Sequence, residues 1–181
     1  MQAFLDDLPL KVFDLEALSS PPSYEETGLT FLDNAEGKGL YYSRLWTGLT
    51  LGEDSGLVVD ALAGSPGVYS ARYAGPRASD MENIQKLLRM LQGIPPEKRS
   101  ARFISAMVLV SKGELLIRIE ESVEGFILSH KRGRSGFGYD PIFFYPSLNK
   151  TFAELSAPEK NSVSHRGKAL RKLKAYLVDL I

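Results

Sequence analysis

An α/β fold is what this sequence predicts, and three observations carry the prediction. Two stretches, Asp80 to Leu91 and Ser164 to Ile181, repeat their apolar residues with a helical period, and between them two runs rich in Ile, Val and Leu break at Ser111, Lys112 and Gly113. Taken in chain order, Leu10 to Leu15 is a short apolar segment that reads as a strand, followed by a Pro/Ser loop at Ser19 to Ser23. Thr30 with Asp33 three residues on resembles a capping box, and Phe31, Ala35, Leu40 and Tyr41 fall on one helical face. Gly37 and Gly39 weaken that helix, because each interior glycine costs about 1 kcal/mol. Met81, Ile84, Leu87, Leu88 and Leu91 form the stripe of the next helix, which Gly93, Pro95 and Pro96 end. Arg102 to Val110 and Glu114 to Glu121 are expected to pair as a hairpin. The last helix sets Ala169, Leu170, Leu173, Leu177 and Leu180 on one side with Lys and Arg opposite, the pattern of a helix packed on a sheet.

Composition narrows the function. With 181 residues, 44% hydrophobic and 10% aromatic, the chain can build one well-packed domain or two closely apposed lobes sharing a cleft. Lys plus Arg and Asp plus Glu both number 22, so no basic field exists to attract nucleic acid. No apolar run approaches the roughly 20 residues of a membrane helix, and the start lacks a basic flank leading into a signal region; a cytoplasmic protein with no membrane partner is expected. The absence of Cys excludes disulfides, thiolate metal sites and a cysteine nucleophile, and fits a reducing compartment. The two histidines, His130 and His165, are too few for a His-rich zinc site. A metal here would be a hard, oxygen-liganded cation such as Mg2+.

Four stretches carry chemistry. In EDSGLVVDALAGSPGVYSARYAG, residues 53 to 75, acidic residues close a strand ahead of a Gly/Pro-rich loop. A carboxylate there can hold Mg2+ against phosphate oxygens or take a proton from attacking water, which makes Asp54 the leading catalytic candidate, although Asp-Ser-Gly is also an ordinary turn. YEETG supplies Glu25 and Glu26; one of them with Asp54 would satisfy Mg2+, while adjacent glutamates before a helix are equally common first-turn charges. GRSGFGYDPIFF, residues 133 to 144, lacks the order of a P-loop or a dinucleotide fingerprint. Phe137 instead offers a stacking face for a base and Asp140 an acceptor for the N1–H of a 6-keto purine; a glycine-rich turn with Phe137 in the core is the competing reading. In EKNSVSHRGKAL, residues 159 to 170, Ser164 is a natural N-cap that puts His165 and Arg166 in the first helical turn, where the dipole disfavours cations. Such a pair suggests donors to the O6 carbonyl of a base, with Lys160 nearby, as against a plain surface turn.

Together the four stretches, in this order, resemble the inosine triphosphate pyrophosphatase family, through EETGLTFLDNA, DSGLVVDALAGSPGVYSARYAG, GFGYDPIFF and KNSVSHRGKAL. The resemblance runs from about Leu10 to the C-terminus. It implies an elongated fold of two lobes around a central mixed sheet with flanking helices, a nucleotide cleft between the lobes, and a homodimer. It implies hydrolysis of ITP, dITP and XTP to the monophosphate and pyrophosphate, with Mg2+ as cofactor. By the same resemblance Asp54 is proton acceptor and metal ligand, Glu26 a second metal ligand, Ser55 a substrate contact, and Lys38 a lysine near the phosphates. Phe137, Gly138, Tyr139 and Asp140 match the base pocket, and Lys160, His165 and Arg166 the residues around the base carbonyl. The chain departs from the family pattern at its start: members open with a strand and a Thr/Ser-x-Asn-x-x-Lys loop that grips the triphosphate. Here MQAFLDDLP resembles the end of the helix that follows, about fifteen residues on. Without that loop, weaker phosphate binding is expected. The alternatives are a catalytically impaired nucleotide-binding remnant and a pyrimidine-directed pyrophosphatase of related fold.

Overall fold

Three long strands lie side by side in the computed structural model, which describes residues 2–18 and 20–181: β1 (Leu49–Val59), β2 (Ser100–Ser111) and β3 (Glu114–Ile127). Two short ones, β4 (Phe143–Tyr145) and β5 (Lys150–Thr151), extend the sheet in the order β1-β2-β3-β4-β5. The β2–β3 hairpin turns at Lys112 and Gly113, whose φ angles of 50° and 82° are the left-handed pair that matches the twist of the flanking strands. Beyond the expected end at Glu121, β3 continues with Val123, Gly125 and Ile127 buried and Glu124 and Phe126 outward.

All four pairings among the described strands are antiparallel, where a mixed sheet is expected from the family resemblance. The reason lies in the β1–β2 connection. It contains a helix, α3 (Asp80–Met90), yet it leaves and re-enters at the same end of the sheet, with Val59 opposite Ala101. A parallel neighbour would require a crossover to the far end.

The helices start where their caps put them. Thr30 and Asp33 form the reciprocal capping box of α2 (Phe31–Ser43), and Ser79 with Glu82 does the same for α3. Ser164 separates α4 (Ala157–Val163) from α5 (His165–Leu180), and its Oγ accepts the Gly167 N–H at 3.1 Å. The first helix, α1, is the four-residue Gln2–Leu5. Leu10–Leu15 is not a strand: residues 10–14 have no regular secondary structure and lead into a single 3-10 turn at Leu15–Ala17. Leu10 and Val12 pack against the cluster that holds Leu170 and Leu173, while Phe13 and Leu15 are exposed, so the apolar run is an irregular segment laid over the core. The Pro/Ser loop is irregular from Ser20 to Ser23, and Ser19 lies outside the described residues.

β2 is covered on both faces. One face carries Ala106, Val108 and Val110 against Phe31 and Ala35 of α2. The other divides along its length, with Ala101 and Phe103 in a cluster with Leu87, Phe143 and Phe152, and Met107 and Leu109 in a cluster with Leu170, Leu173 and Leu177 of α5. Leu180, expected on the buried stripe, is exposed in the final turn. Among the described residues no helix is long and apolar enough to cross a membrane.

Candidate active site

β1 presents its side chains alternately to two environments. Towards α2 it shows Gly52, Asp54 and Gly56; towards α5 it shows Glu53 and Ser55. The glycines decide how close α2 can come. A Cβ at Gly52 would overlap the Ala35 carbonyl oxygen and crowd Gly39, and one at Gly37 would overlap the Tyr24 hydroxyl. The glycines that weaken α2 as an isolated helix therefore let it lie directly on β1 and on the loop before it.

That approach assembles a polar cluster. Asn34 and Lys38, one helical turn apart, both reach Asp54: Asn34 Nδ2 donates to Oδ2 at 3.1 Å and Lys38 Nζ lies 3.6 Å from Oδ1. Lys38 also donates to Glu26 Oε1 at 2.7 Å, and Arg72 donates to Glu26 Oε2 at 3.1 Å. Asn34 Oδ1 accepts the Gly28 N–H at 2.8 Å, tying the Glu26 loop to the same helix. Asp54 has a 13% exposed side chain, and burial pushes its pKa above the ordinary carboxylate value against the pull of Lys38 and Asn34. At Glu26 burial also opposes the charge, but hydrogen bonds from Lys38 and Arg72 outweigh it and hold the carboxyl below its ordinary value. Two carboxylates bridged by one ammonium thus have pKa values moved in opposite directions, the arrangement that separates a proton acceptor from a group that stays ionised. Among the described residues no three carboxylates or imidazoles converge on one point. The donor set is two hard oxygen ligands facing one shared cation, which suits an ion that keeps most of its shell for water and phosphate.

The second group lies around the loop between β3 and β4. Gly136 has φ 81°, and a Cβ there would overlap the Asp140 carboxylate, so glycine is what allows the loop to fold over Asp140. Asp140 Oδ2 accepts the Phe137 N–H at 2.8 Å and pairs with Lys160, and the residue is 2% exposed. Asp80 Oδ2, from the first turn of α3, accepts the Gly138 N–H at 2.6 Å. Held from two sides, Phe137 stands 63% exposed, with Lys160 Nζ 4.6 Å and Arg166 Cζ 5.9 Å from its ring centroid. His165 stacks on Phe103 at 4.9 Å, and its buried Nδ1 has no hydrogen-bond partner among the described residues. Burial, followed by the charges of Arg166, Lys160 and Lys168, lowers its pKa to about 3, so the imidazole is neutral at physiological pH.

Sequence reasoning brings Glu26, Lys38 and Asp54 together, and the structure does so too. Phe137, Lys160 and Arg166 form a second group. Ser55 is on β1, and its N–H donates to Asp54 Oδ1 at 3.0 Å. Tyr139 and Asp140 are not at the surface of this group: Tyr139 is a core residue whose hydroxyl donates to the Ser70 carbonyl at 3.0 Å, and Asp140 lies beneath the loop. Sequence reasoning missed Asn34, Glu53, Arg72 and Asp80. Asn34 was within reach, since it precedes Lys38 by one turn of the same helix. Arg72 had no local signal, being 46 positions from Glu26.

Comparison with known proteins places these residues in a lineage. A family model described as the Ham1 family matches residues 1–176. The dITP/XTP pyrophosphatase of Bacillus licheniformis is 46% identical over 176 residues, covering 97% of this chain and 90% of that protein. That of Leuconostoc mesenteroides is 50% identical over 169 residues, covering 92% and 82%. Among solved structures, a HAM1 protein from Coxiella burnetii superposes with a TM-score of 0.92 at 41% identity, covering 98% of this chain and 91% of that one. The Ham1 protein of Staphylococcus aureus gives 0.90 at 38% identity, covering 99% and 92%.

Proposed function

The chain belongs to the Ham1 family, and on that premise we propose that it hydrolyses the deaminated purine nucleotides ITP, dITP and XTP to the monophosphate and pyrophosphate. The observation that carries this reading at the level of chemistry is the Glu26–Lys38–Asp54 cluster, with its two carboxylates shifted apart. Asp54, the more basic, takes the proton of the water that attacks the α-phosphorus. Glu26 stays ionised and, with Asp54, would hold Mg2+, which supplies charge neutralisation on the phosphate oxygens. Lys38 and Arg72, which neutralise the carboxylates in the free protein, are within the cluster to pair with phosphate oxygens once substrate is bound.

The base is assigned to the Phe137 end. Stacking on an exposed ring tolerates any purine, so discrimination falls to the polar groups beside it. Lys160, His165 and Arg166 bring donors suited to the O6 carbonyl of a deaminated purine, and the N6 amino group of adenine would leave those donors unpaired. Asp140 enters through its hold on Lys160 and the Phe137 amide, both made by Oδ2. Pairing into a homodimer and a cytoplasmic location belong to the same reading, the first checked by light scattering on the purified protein.

The deciding experiment is product analysis with ITP, dITP, XTP and ATP, with Mg2+ and after its removal by chelation. Pyrophosphate is expected from the first three, far faster than from ATP, and only with the metal present. Orthophosphate as first product would overturn attack at the α-phosphorus.

A further inference from the structure

Glu53 adjoins Asp54 but faces the other way, and nothing in the reaction above uses it. Its Oε1 accepts the Nε–H of Arg166 at 2.6 Å, and its side chain is 19% exposed. We propose that Glu53 is the positioning residue of base recognition, clamping Arg166 by the Nε edge so that its terminal amino groups present a fixed donor pair beside Phe137. This rests on the substrate class proposed above.

Three features support it. A guanidinium is planar, with its N–H groups in a rigid fork, so anchoring one edge orients the rest. Arg166 has particular need of an anchor: it stands in the first turn of α5, where the helix dipole repels cations, and Lys160 shares the same ring, Phe137. Glu53 supplies a compensating negative charge at hydrogen-bonding distance. Finally, Glu53 comes from a paired strand and not from a loop: Glu53 lies opposite Met107 and Asp54 opposite Ala106 in one continuous ladder. The anchor of the base-reading arginine and the proton acceptor are therefore consecutive residues of one rigid element, set on opposite faces.

The test compares the parent with Glu53→Ala, Glu53→Gln, Arg166→Ala and the Glu53→Ala/Arg166→Ala double variant, all in the full chain. The readouts are the ITP-to-ATP ratio of kcat/KM, calorimetric affinity for IMP and AMP, and the Mg2+ dependence of the rate. Glu53→Ala should lower the ITP-to-ATP ratio and IMP affinity by on the order of tenfold, mainly through KM, with AMP affinity and the Mg2+ midpoint unmoved. Glu53→Gln should recover part of the loss, because its amide oxygen still accepts the Nε–H, and it carries the test if the alanine variant fails to fold. In the Arg166→Ala background, removing Glu53 should change the ratio no further. An unchanged ratio in both Glu53 variants, losses that add independently of Arg166, or a shifted Mg2+ midpoint with discrimination intact would overturn the assignment, the last making Glu53 a metal-site residue. A parent that does not prefer ITP to ATP would overturn the substrate class and the Glu53 role with it; a discriminating parent with equally discriminating Glu53 variants overturns the Glu53 role alone.

Discussion

The two sides of β1 solve different problems with different materials. On the α2 side, four charged groups and an asparagine meet in a partly buried cluster, and close backbone approach at Gly52 and Gly39 sets their spacing. On the α5 side, an exposed ring is flanked by two cations, each tied to a carboxylate beneath or beside it. On the first side Asp54 and Glu26 sit near each other with pKa values moved apart. The second holds a neutral imidazole and two ion pairs. On the α2 side Lys38 and Glu26 each pair with two opposite charges; on the α5 side each cation pairs with one carboxylate.

The sharpest way to break that contrast is Asp54→Asn. It retains the shape and removes the proton acceptor, so turnover should fall by roughly a hundredfold to ten-thousandfold while ITP affinity, measured by calorimetry, changes little. Turnover close to the parent's would reduce Asp54, which lies within β1 and not in the turn that Asp-Ser-Gly suggests, to a strand residue held by Asn34 and Lys38, and the α2 side to a structural cluster.

Next in size is a comparison within the recognition side. Lys160→Ala strands the Asp140 carboxylate, whose side chain is 3% exposed, beneath the Phe137 loop. The expected cost is about 3 kcal/mol, a fall of roughly 6 to 12 °C in Tm. Arg166→Ala removes a 44% exposed side chain and should cost under about 1 kcal/mol, yet lose base discrimination. Equal melting temperatures for the two variants would show that Asp140 does not depend on Lys160.

Gly52→Ala tests whether backbone contact positions the chemical side. The added methyl group meets the Ala35 carbonyl, and overpacking of this kind costs about 1 to 3 kcal/mol. Because α2 carries Asn34 and Lys38, kcat should fall along with Tm, whereas discrimination between ITP and ATP should be retained. Lost discrimination with normal kcat would mean that the two sides are not separable.

At neutral pH the smallest expected effect is that of His165, whose contribution emerges only on acidification. Its folded pKa of about 3 lies below the ordinary 6.5, so the contribution to stability is full above the unfolded value. As pH falls through that window the unfolded chain takes up a proton that the folded protein refuses, and stability declines. Replacing His165 by Asn should flatten the fall of Tm between about pH 6.5 and the acid limit relative to the parent. Parallel curves would show that other groups dominate acid unfolding.

Much of the fold was legible because its signals are local. Thr30 with Asp33, the stripe from Met81 to Leu91, the Lys112–Gly113 turn and Ser164 ahead of α5 all act within a few residues, and each marks a real boundary. Leu10–Leu15 misled because a short apolar run reports burial against the core, which an irregular segment achieves as well as a strand. The β2–β3 hairpin was legible from its turn, but the direction of β1 against β2 was not, since it depends on which end of the sheet the 59–100 connection returns to. Of the candidate site, Asp54 and Glu26 lie in short acidic motifs 28 positions apart, whereas Lys38 follows only from the family resemblance.

By itself, then, the sequence determined where elements start and stop and which residue types can do acid–base and base-stacking work, because capping, turn formation and side-chain chemistry act over a few bonds. Only the tertiary structure decided what each group faces. It set Arg72 on Glu26, Glu53 on Arg166, Tyr139 in the core and Asp140 under its loop. It also made assets of two helix-weakening glycines, since their missing side chains matter only once a strand and a loop lie against them. Such contacts join residues as far apart as 113 positions. Over that separation no local preference acts, and only the packing of α2 and α5 against opposite faces of the sheet brings the partners together.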